Sequence, residues 1–250
     1  VEYAVEIIGR LLGKGVAYRH GPDVFFDPLK VPGFGRLFRL DMTRWPKKKR
    51  RFRKDTYPGV QWNYGDFILW HGAREGETAV WDTGIGRGRP SWNVQDPAMT
   101  IPLLGPSIDI HAGGIDNLWR HHDYNLAIVE SLTGREYARY WMHGGHLLLD
   151  GKKMSKSRGN VYYTEDLIKR GYSGQHIRFF LIYGHYRKRL NFTFKQLAKI
   201  SKKLDAFKSM VNSMQNTKSA KSSKKAKILI DGIIKDFEKN LDNDLNVKEA

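Results

Sequence analysis

The chain contains no cysteine, so a disulfide framework, a thiolate metal site and a cysteine nucleophile are excluded within its 250 residues. Long apolar runs are also missing. Nothing approaches the ~20 consecutive apolar residues of a membrane span. The opening stretch, VEYAVEIIGRLLGKG, reads as an amphipathic helix and not as a basic segment followed by an apolar block. A soluble, cytoplasmic protein with no membrane partner is the expectation. Acidic residues are scarce: 26 Asp and Glu stand against 43 Lys and Arg, a formal net charge of +17. An excess of that size draws polyanions. It is densest at 44–54 (RWPKKKRRFRK) and in the lysine-rich stretch 199–227, which reads equally as an exposed linker. With 40 % hydrophobic and 12 % aromatic residues, the chain has enough apolar surface for one large domain or two small ones.

Periodicity places the elements. Val5, Ile8, Leu11 and Leu12 share one face of a first helix over roughly 2–14, with Gly13 and Gly15 as stop signals. Val24-Phe25-Phe26 reads as a short strand, 28–64 as an irregular basic insertion, 66–70 (DFILW) as a buried strand and 84–90 (GIGRGRP) as a loop. A strand over 107–111 (SIDIH) runs into Ala112-Gly113-Gly114-Ile115-Asp116. A helix follows from His121 to Leu132, stopped by Gly134, and then a strand from Tyr140 to Leu149. Strand, loop, helix and strand at this spacing predict a βαβ unit of a parallel sheet, whose ligands bind beyond the carboxyl ends of the strands. After residue 163 the pattern turns helical. Thr164 and Ser173 are candidate caps, and an apolar seam runs from Phe194 to Met214. A polar linker over 216–226 precedes a last helix whose Ile230, Ile233, Ile234, Phe237 and Leu241 need a partner.

One stretch carries chemistry. An apolar run, Leu147-Leu148-Leu149, and an Asp-Gly turn lead into Lys152-Lys153-Met154-Ser155-Lys156-Ser157-Arg158-Gly159-Asn160. A lysine- and serine-rich loop suits a mobile clamp for a triphosphate. When a carboxylate attacks the α-phosphate of ATP, charge builds on the phosphate oxygens and on the departing pyrophosphate. Ammonium groups brought in by a loop stabilise that charge best in the transition state.

Lys153 to Ser157 reads KMSKS and resembles the signature loop of the class I aminoacyl-tRNA synthetases. Five stretches, 84–99, 109–134 (DIHAGGIDNLWRHHDYNLAIVESLTG), 140–160 (YWMHGGHLLLDGKKMSKSRGN), 185–193 (HYRKRLNFT) and the closing DNDLNVKEA, are similar to the cysteinyl branch of that family in content, order and spacing. The resemblance implies an α/β fold: 1–160 as part of a Rossmann-type parallel sheet of a catalytic domain, and 161–250 as a helical stem-contact region opening an anticodon-binding-type bundle. It implies Lys153 and Lys156 as catalytic lysines on the ATP phosphates, supported by Ser155 and Ser157. It implies His111, Gly113, Gly114 and Asp116 as the receiver of the nucleoside, and Trp92, Asp96, His121 and Asn125 as the amino-acid pocket. By residue type alone a helix cap is the lesser alternative for Asp116, and Trp92 could equally be core. ATP with Mg²⁺, an amino acid and tRNA are the implied ligands.

The chain departs from the family pattern in three ways. The family reads cysteine through a zinc ion held by two cysteines, a histidine and a glutamate. Here His121 keeps the histidine place, while Asp96 stands for a cysteine and Asn125 for the glutamate. An amide is a poor zinc ligand, so no metal is expected, with His121 and Asp96 the only remnants of the site. The second departure is that the HIGH motif expected near the start of the fold is missing. His143-Gly144-Gly145-His146 matches it by letters but reads as strand and pocket wall. Third, the chain reads as a piece of a longer enzyme, inactive alone, or as a diverged paralogue. Activation of an amino acid and its transfer to tRNA is the expected function. A ligase using a small amine and a non-catalytic RNA-binding remnant are the alternatives.

Overall fold

The computed structural model describes residues 1–44, 66–156, 159–216 and 223–250. The basic run after Arg44, the rest of the 28–64 insertion, Ser157, Arg158 and the centre of the 216–226 linker lie outside the described residues. The chain divides into two compact units, Val1–Met142 and His143–Ala250. Among the described residues no helix is long and apolar enough to cross a membrane.

The first unit begins with α1 (Glu2–Gly13), which buries Ala4, Ile7, Ile8 and Leu11, one helical face at three- and four-residue steps. Four antiparallel strands follow in the order β1 (Ala17–His20), β2 (Asp23–Phe26), β3 (Phe67–Gly72) and β4 (Gly88–Pro90). The loop expected at 84–90 thus ends in a strand, because Trp70, His71 and Gly72 of β3 pair with Pro90, Arg89 and Gly88. Next come α2 (Trp92–Leu104), β5 (Ile108–Gly114), a single turn α3 (Ile115–Asn117), α4 (Asp123–Thr133) and β6 (Ala138–Gly144), which pairs with β5. Gly134 ends α4 in the left-handed region at φ 66°, as its position in the sequence suggests. The core gathers Ile8, Leu11, Val24, Phe26, Trp70, Val94 and Ile128, with Phe67 stacked on Tyr124 at 3.8 Å. Lys14, just past α1, donates to the carbonyls of Ser131 and Leu132 at 2.7 and 3.1 Å and so satisfies the end of α4.

In the second unit β7 (Leu147–Leu149) lies between β8 (Lys152–Lys153), antiparallel, and β9 (Leu190–Phe192), parallel. The single strand expected over Tyr140–Leu149 is therefore two strands in different sheets. It breaks at Gly145-His146, where the backbone turns to Tyr186 and Leu190: Gly145 N–H donates to Tyr186 O at 2.7 Å and Leu190 N–H to His146 O at 3.0 Å. The helices are α5 (Thr164–Lys169), α6 (Gly174–Tyr183), α7 (Phe194–Gln215) and α8 (Lys224–Asp242). Ser173 caps α6 by accepting from His176 N–H at 3.2 Å. Thr164 does not cap α5, since the cap position is Tyr163, whose N–H is taken by the Asp166 carboxylate at 2.9 Å. Leu149, Leu167, Phe180, Phe192 and Leu197 form the second core. The later turns of the α7 seam, Phe207 and Met214, are exposed, as are Ile230, Ile233, Ile234 and Phe237 of α8.

Candidate active site

The expected site residues fall in two sets. In the second unit Asp150 and Gly151, both at positive φ (48° and 78°), form the tight turn between β7 and β8. Lys153 follows at the end of β8 and is exposed, as is Lys156. Met154 between them is partly buried and packs on the second core. Asn160, which residue type alone does not mark, fastens the loop base: its side chain accepts from Ser155 N–H at 3.0 Å and donates to Lys153 O at 3.2 Å. An apolar anchor and an amide staple hold the loop while both ammonium groups stay in solvent, where they can meet an anion. Ser157 lies outside the described residues.

The other set belongs to the first unit. Ser91 opens α2 and is fixed to β3, its hydroxyl donating to Ile68 O at 2.7 Å. Trp92 on the first turn is 61 % exposed, so the alternative of a core tryptophan is excluded. Its ring stacks on the imidazole of His121 at 4.1 Å. Asp96, one turn on, meets the same ring: its Oδ2 lies 2.8 Å from His121 Nε2. Trp92, Asp96 and His121 therefore form one cluster.

Asn125 is joined to the cluster through a backbone vacancy made by a proline. In a helix the carbonyl of residue 93 would accept from the N–H of residue 97. Position 97 is Pro97, which has no N–H. The Asn93 carbonyl accepts instead from Asn125 Nδ2, at 2.8 Å. Pro97 and Pro102 are also why α2 is not legible as a helix from periodicity.

His121 and His122 precede α4 after a break at Trp119 and Arg120, the latter at φ 75°, a conformation that a non-glycine residue adopts only when its surroundings enforce it. The two histidines face different neighbours. His122 lies edge-on to His111 at 4.5 Å, and His111 stacks on Trp141 at 4.7 Å. His122 also explains Gly113, where a Cβ would stand 2.7 Å from its ring. A Cβ on Gly114 would stand 2.5 Å from Asp116 Oδ1. The ring of buried His122 restricts Gly113, whereas the contact at Gly114 is with the tip of a side chain that can turn away. Asp116 sits in the first turn of α3, whose cap residue, Gly114, has no side chain to serve as the cap.

Asp123 is fully buried and has no counterpart among the residues singled out from sequence. Burial pushes its carboxyl up to about 6, partly offset by the Leu37 and Phe38 amides and by Arg36. Burial likewise raises Tyr137, whose hydroxyl meets that of Thr100 at 3.1 Å.

The family model for the "tRNA synthetases class I (C) catalytic domain" matches residues 1–203. This chain belongs to that family. Its parts are then those of a class I synthetase, an α/β catalytic region followed by helices. The chain is similar to the cysteine–tRNA ligase of Chlamydia caviae, at 37 % identity over 98 % of this chain and 52 % of that protein. It is similar to that of Chlamydia trachomatis serovar D at 42 % identity, over 76 % of this chain and 40 % of the relative. It spans about half the length of the curated relatives it matches. A solved ternary complex of Agrobacterium radiobacter K84 LeuRS with tRNA and LeuAMS is similar at 14 % identity and TM-score 0.47, over 68 % of this chain and 28 % of that one.

The class I (C) resemblance implies zinc, and the donor set here does not fit it. His121 Nε2 is engaged by Asp96 at 2.8 Å, and where the family has a glutamate Asn125 offers only a neutral amide oxygen, a poor zinc ligand. Among the described residues no three His, Cys, Asp or Glu side chains converge as metal ligands.

Proposed function

We propose that this chain supplies catalytic-domain residues of an ATP-dependent aminoacyl-tRNA ligase of the cysteine type. In the first step a carboxylate oxygen of the amino acid forms a bond to the α-phosphorus of ATP, bound as its magnesium complex. The bond to pyrophosphate breaks, leaving an aminoacyl-adenylate. In the second, a terminal ribose hydroxyl of tRNA takes the aminoacyl group and AMP departs. Lys156, with Lys153, neutralises charge on the phosphates as pyrophosphate leaves. Gly113, Gly114, Asp116 and His111 receive the nucleoside. Trp92, Asp96, His121 and Asn125 hold the amino acid. Positioning and charge are most of what such chemistry asks of a protein. The exposed lysines of α7 (Lys195, Lys199, Lys202 and Lys203) offer contacts for tRNA phosphates.

The observation that carries the reading is the lysine loop: Met154 packed on the core and Asn160 stapling the base, with Lys153 and Lys156 exposed. A phosphate clamp needs that combination, and a solvated turn does not. Lys156→Ala in the full-length protein is expected to reduce ATP–pyrophosphate exchange by at least ~10²-fold, the scale of one lost transition-state donor. Unchanged exchange would refute the assignment. A second reading, a non-catalytic RNA-binding relative, is favoured by the lost zinc donors. It requires that no amino acid support exchange.

A further inference from the structure

Two buried side chains, Asn125 and His121, carry an inference that deepens the proposed ligase reading and rests on it. Asn125 is fully buried, and its amide orientation is fixed because Nδ2 donates to the Asn93 carbonyl that Pro97 leaves without its helical donor. Asn125 Oδ1 is buried and has no hydrogen-bond partner. His121 is 7 % exposed and shares its Nε2 with the Asp96 carboxylate. A carboxylate only accepts, so Nε2 carries the proton, and in the neutral imidazole Nδ1 carries the lone pair. That Nδ1 is also buried without a partner. Two acceptors, four residues apart on consecutive turns, are each held in orientation by a bond on their far side, and neither meets a donor.

Orphaned buried polar atoms are rare and each asks for an explanation, a water, an ion or a ligand group that completes it. The group that completes two acceptors is a donor. An aliphatic side chain of the same size would leave both atoms as they are. Both atoms are closed to solvent, so the donor reaches them on a shift of a neighbouring side chain. Trp92, more than half exposed, is stacked on the imidazole and is the most exposed neighbour of this cluster.

We infer that the side chain of the activated amino acid is read by two acceptor atoms, His121 Nδ1 and Asn125 Oδ1, and not by a metal. The pocket therefore selects a small side chain that donates a hydrogen bond, a thiol or a hydroxyl, over an aliphatic one of equal size. Asp96 and Pro97 are positioning residues, one fixing the tautomer of His121 and the other the amide of Asn125.

The test uses the full-length protein, with cysteine, serine and 2-aminobutyrate, which carries a methyl in place of the thiol. ATP–pyrophosphate exchange and calorimetric binding are measured before and after dialysis against phenanthroline. The expected result is kcat/KM for 2-aminobutyrate at least ~10²-fold below the preferred donor substrate, the behaviour of a site built around a hydrogen bond. Chelation should leave both measurements unchanged. Asn125→Leu should collapse the selectivity ratio. Pro97→Ala should weaken it while keeping the helix, because alanine restores at position 97 the N–H that donates to the Asn93 carbonyl and favours helix. Two results overturn the inference while leaving the ligase reading intact: exchange that does not discriminate against 2-aminobutyrate, and exchange abolished by the chelator. If no amino acid supports exchange, the ligase reading falls, and binding of cysteine no tighter than 2-aminobutyrate then overturns the pocket as well.

Discussion

Asp96→Ala removes the carboxylate that meets His121 Nε2 at 2.8 Å. The imidazole is 7 % exposed, so water replaces the lost partner poorly. A hydrogen bond to a charged group contributes about 1.5–3 kcal/mol, and a buried polar atom left alone costs a comparable amount. The Trp92 ring that stacks on the imidazole is not altered by the substitution, so the expected loss is that of one bond. For a domain of about 150–250 residues each 1 kcal/mol moves Tm by about 2–4 °C, which gives an expected fall of roughly 3–12 °C. A double-mutant cycle with His121→Ala isolates the pair. Urea denaturation of the full-length protein, its two single variants and the double variant should return a coupling energy of about 1.5–3 kcal/mol. Asp96→Asn, which keeps an acceptor but loses the charge, should retain about half of it, since charge-assisted bonds are roughly twice as strong as neutral ones. Additive single effects, within about 0.5 kcal/mol, would show that the two side chains are neighbours and not partners, and the fixed tautomer of His121 would go with them.

Two further outcomes test the frame around the site. At Gly145 a methyl group would stand 2.3 Å from the backbone oxygen of Lys188. Backbone cannot swing away as a side chain tip can, so Gly145→Ala should lose about 1–3 kcal/mol, the usual cost of overpacking, and an unaltered Tm would contradict the strand break described at this residue. The Asp123 carboxyl, raised from 3.8 to about 6, binds its proton more tightly folded than unfolded. Its destabilising effect is therefore full above its folded value and fades as pH falls toward the unfolded one. The Tm advantage of Asp123→Asn should accordingly grow between about pH 4 and pH 7, and a difference independent of pH would remove Asp123 from that account.

Much of the fold follows from local pattern. The α1 face, the β2 and β3 strands, the glycine stop of α4, the Asp150–Gly151 turn and the serine cap of α6 each depend on residues a few positions apart, which is the range over which helix and strand periods and turn chemistry act. Prolines hide α2 from that kind of reading: a helix interior with Pro97 and Pro102 contradicts local propensity, and packing of Val94 into the core overrides it. The break at Gly145 is invisible for a different reason, since it is set by the 186–190 backbone, some forty positions away.

The candidate site divides along the same line. The letters of the chain determine that Lys153 and Lys156 follow an apolar strand and an Asp-Gly turn, that no thiolate is available, and that Asp96 and Asn125 stand where better metal donors would be; that Met154 between the lysines packs on the second core is a matter of tertiary structure. Only the tertiary structure brings Asp96 and Trp92 onto His121, twenty-five residues or more along the chain, and gives the carbonyl freed by Pro97 to Asn125. Local chemistry fixes which groups a residue can offer. Which of those groups are satisfied inside the protein, and which are left for a ligand, depends on burial and on partners distant in sequence, and those exist only once the chain has folded.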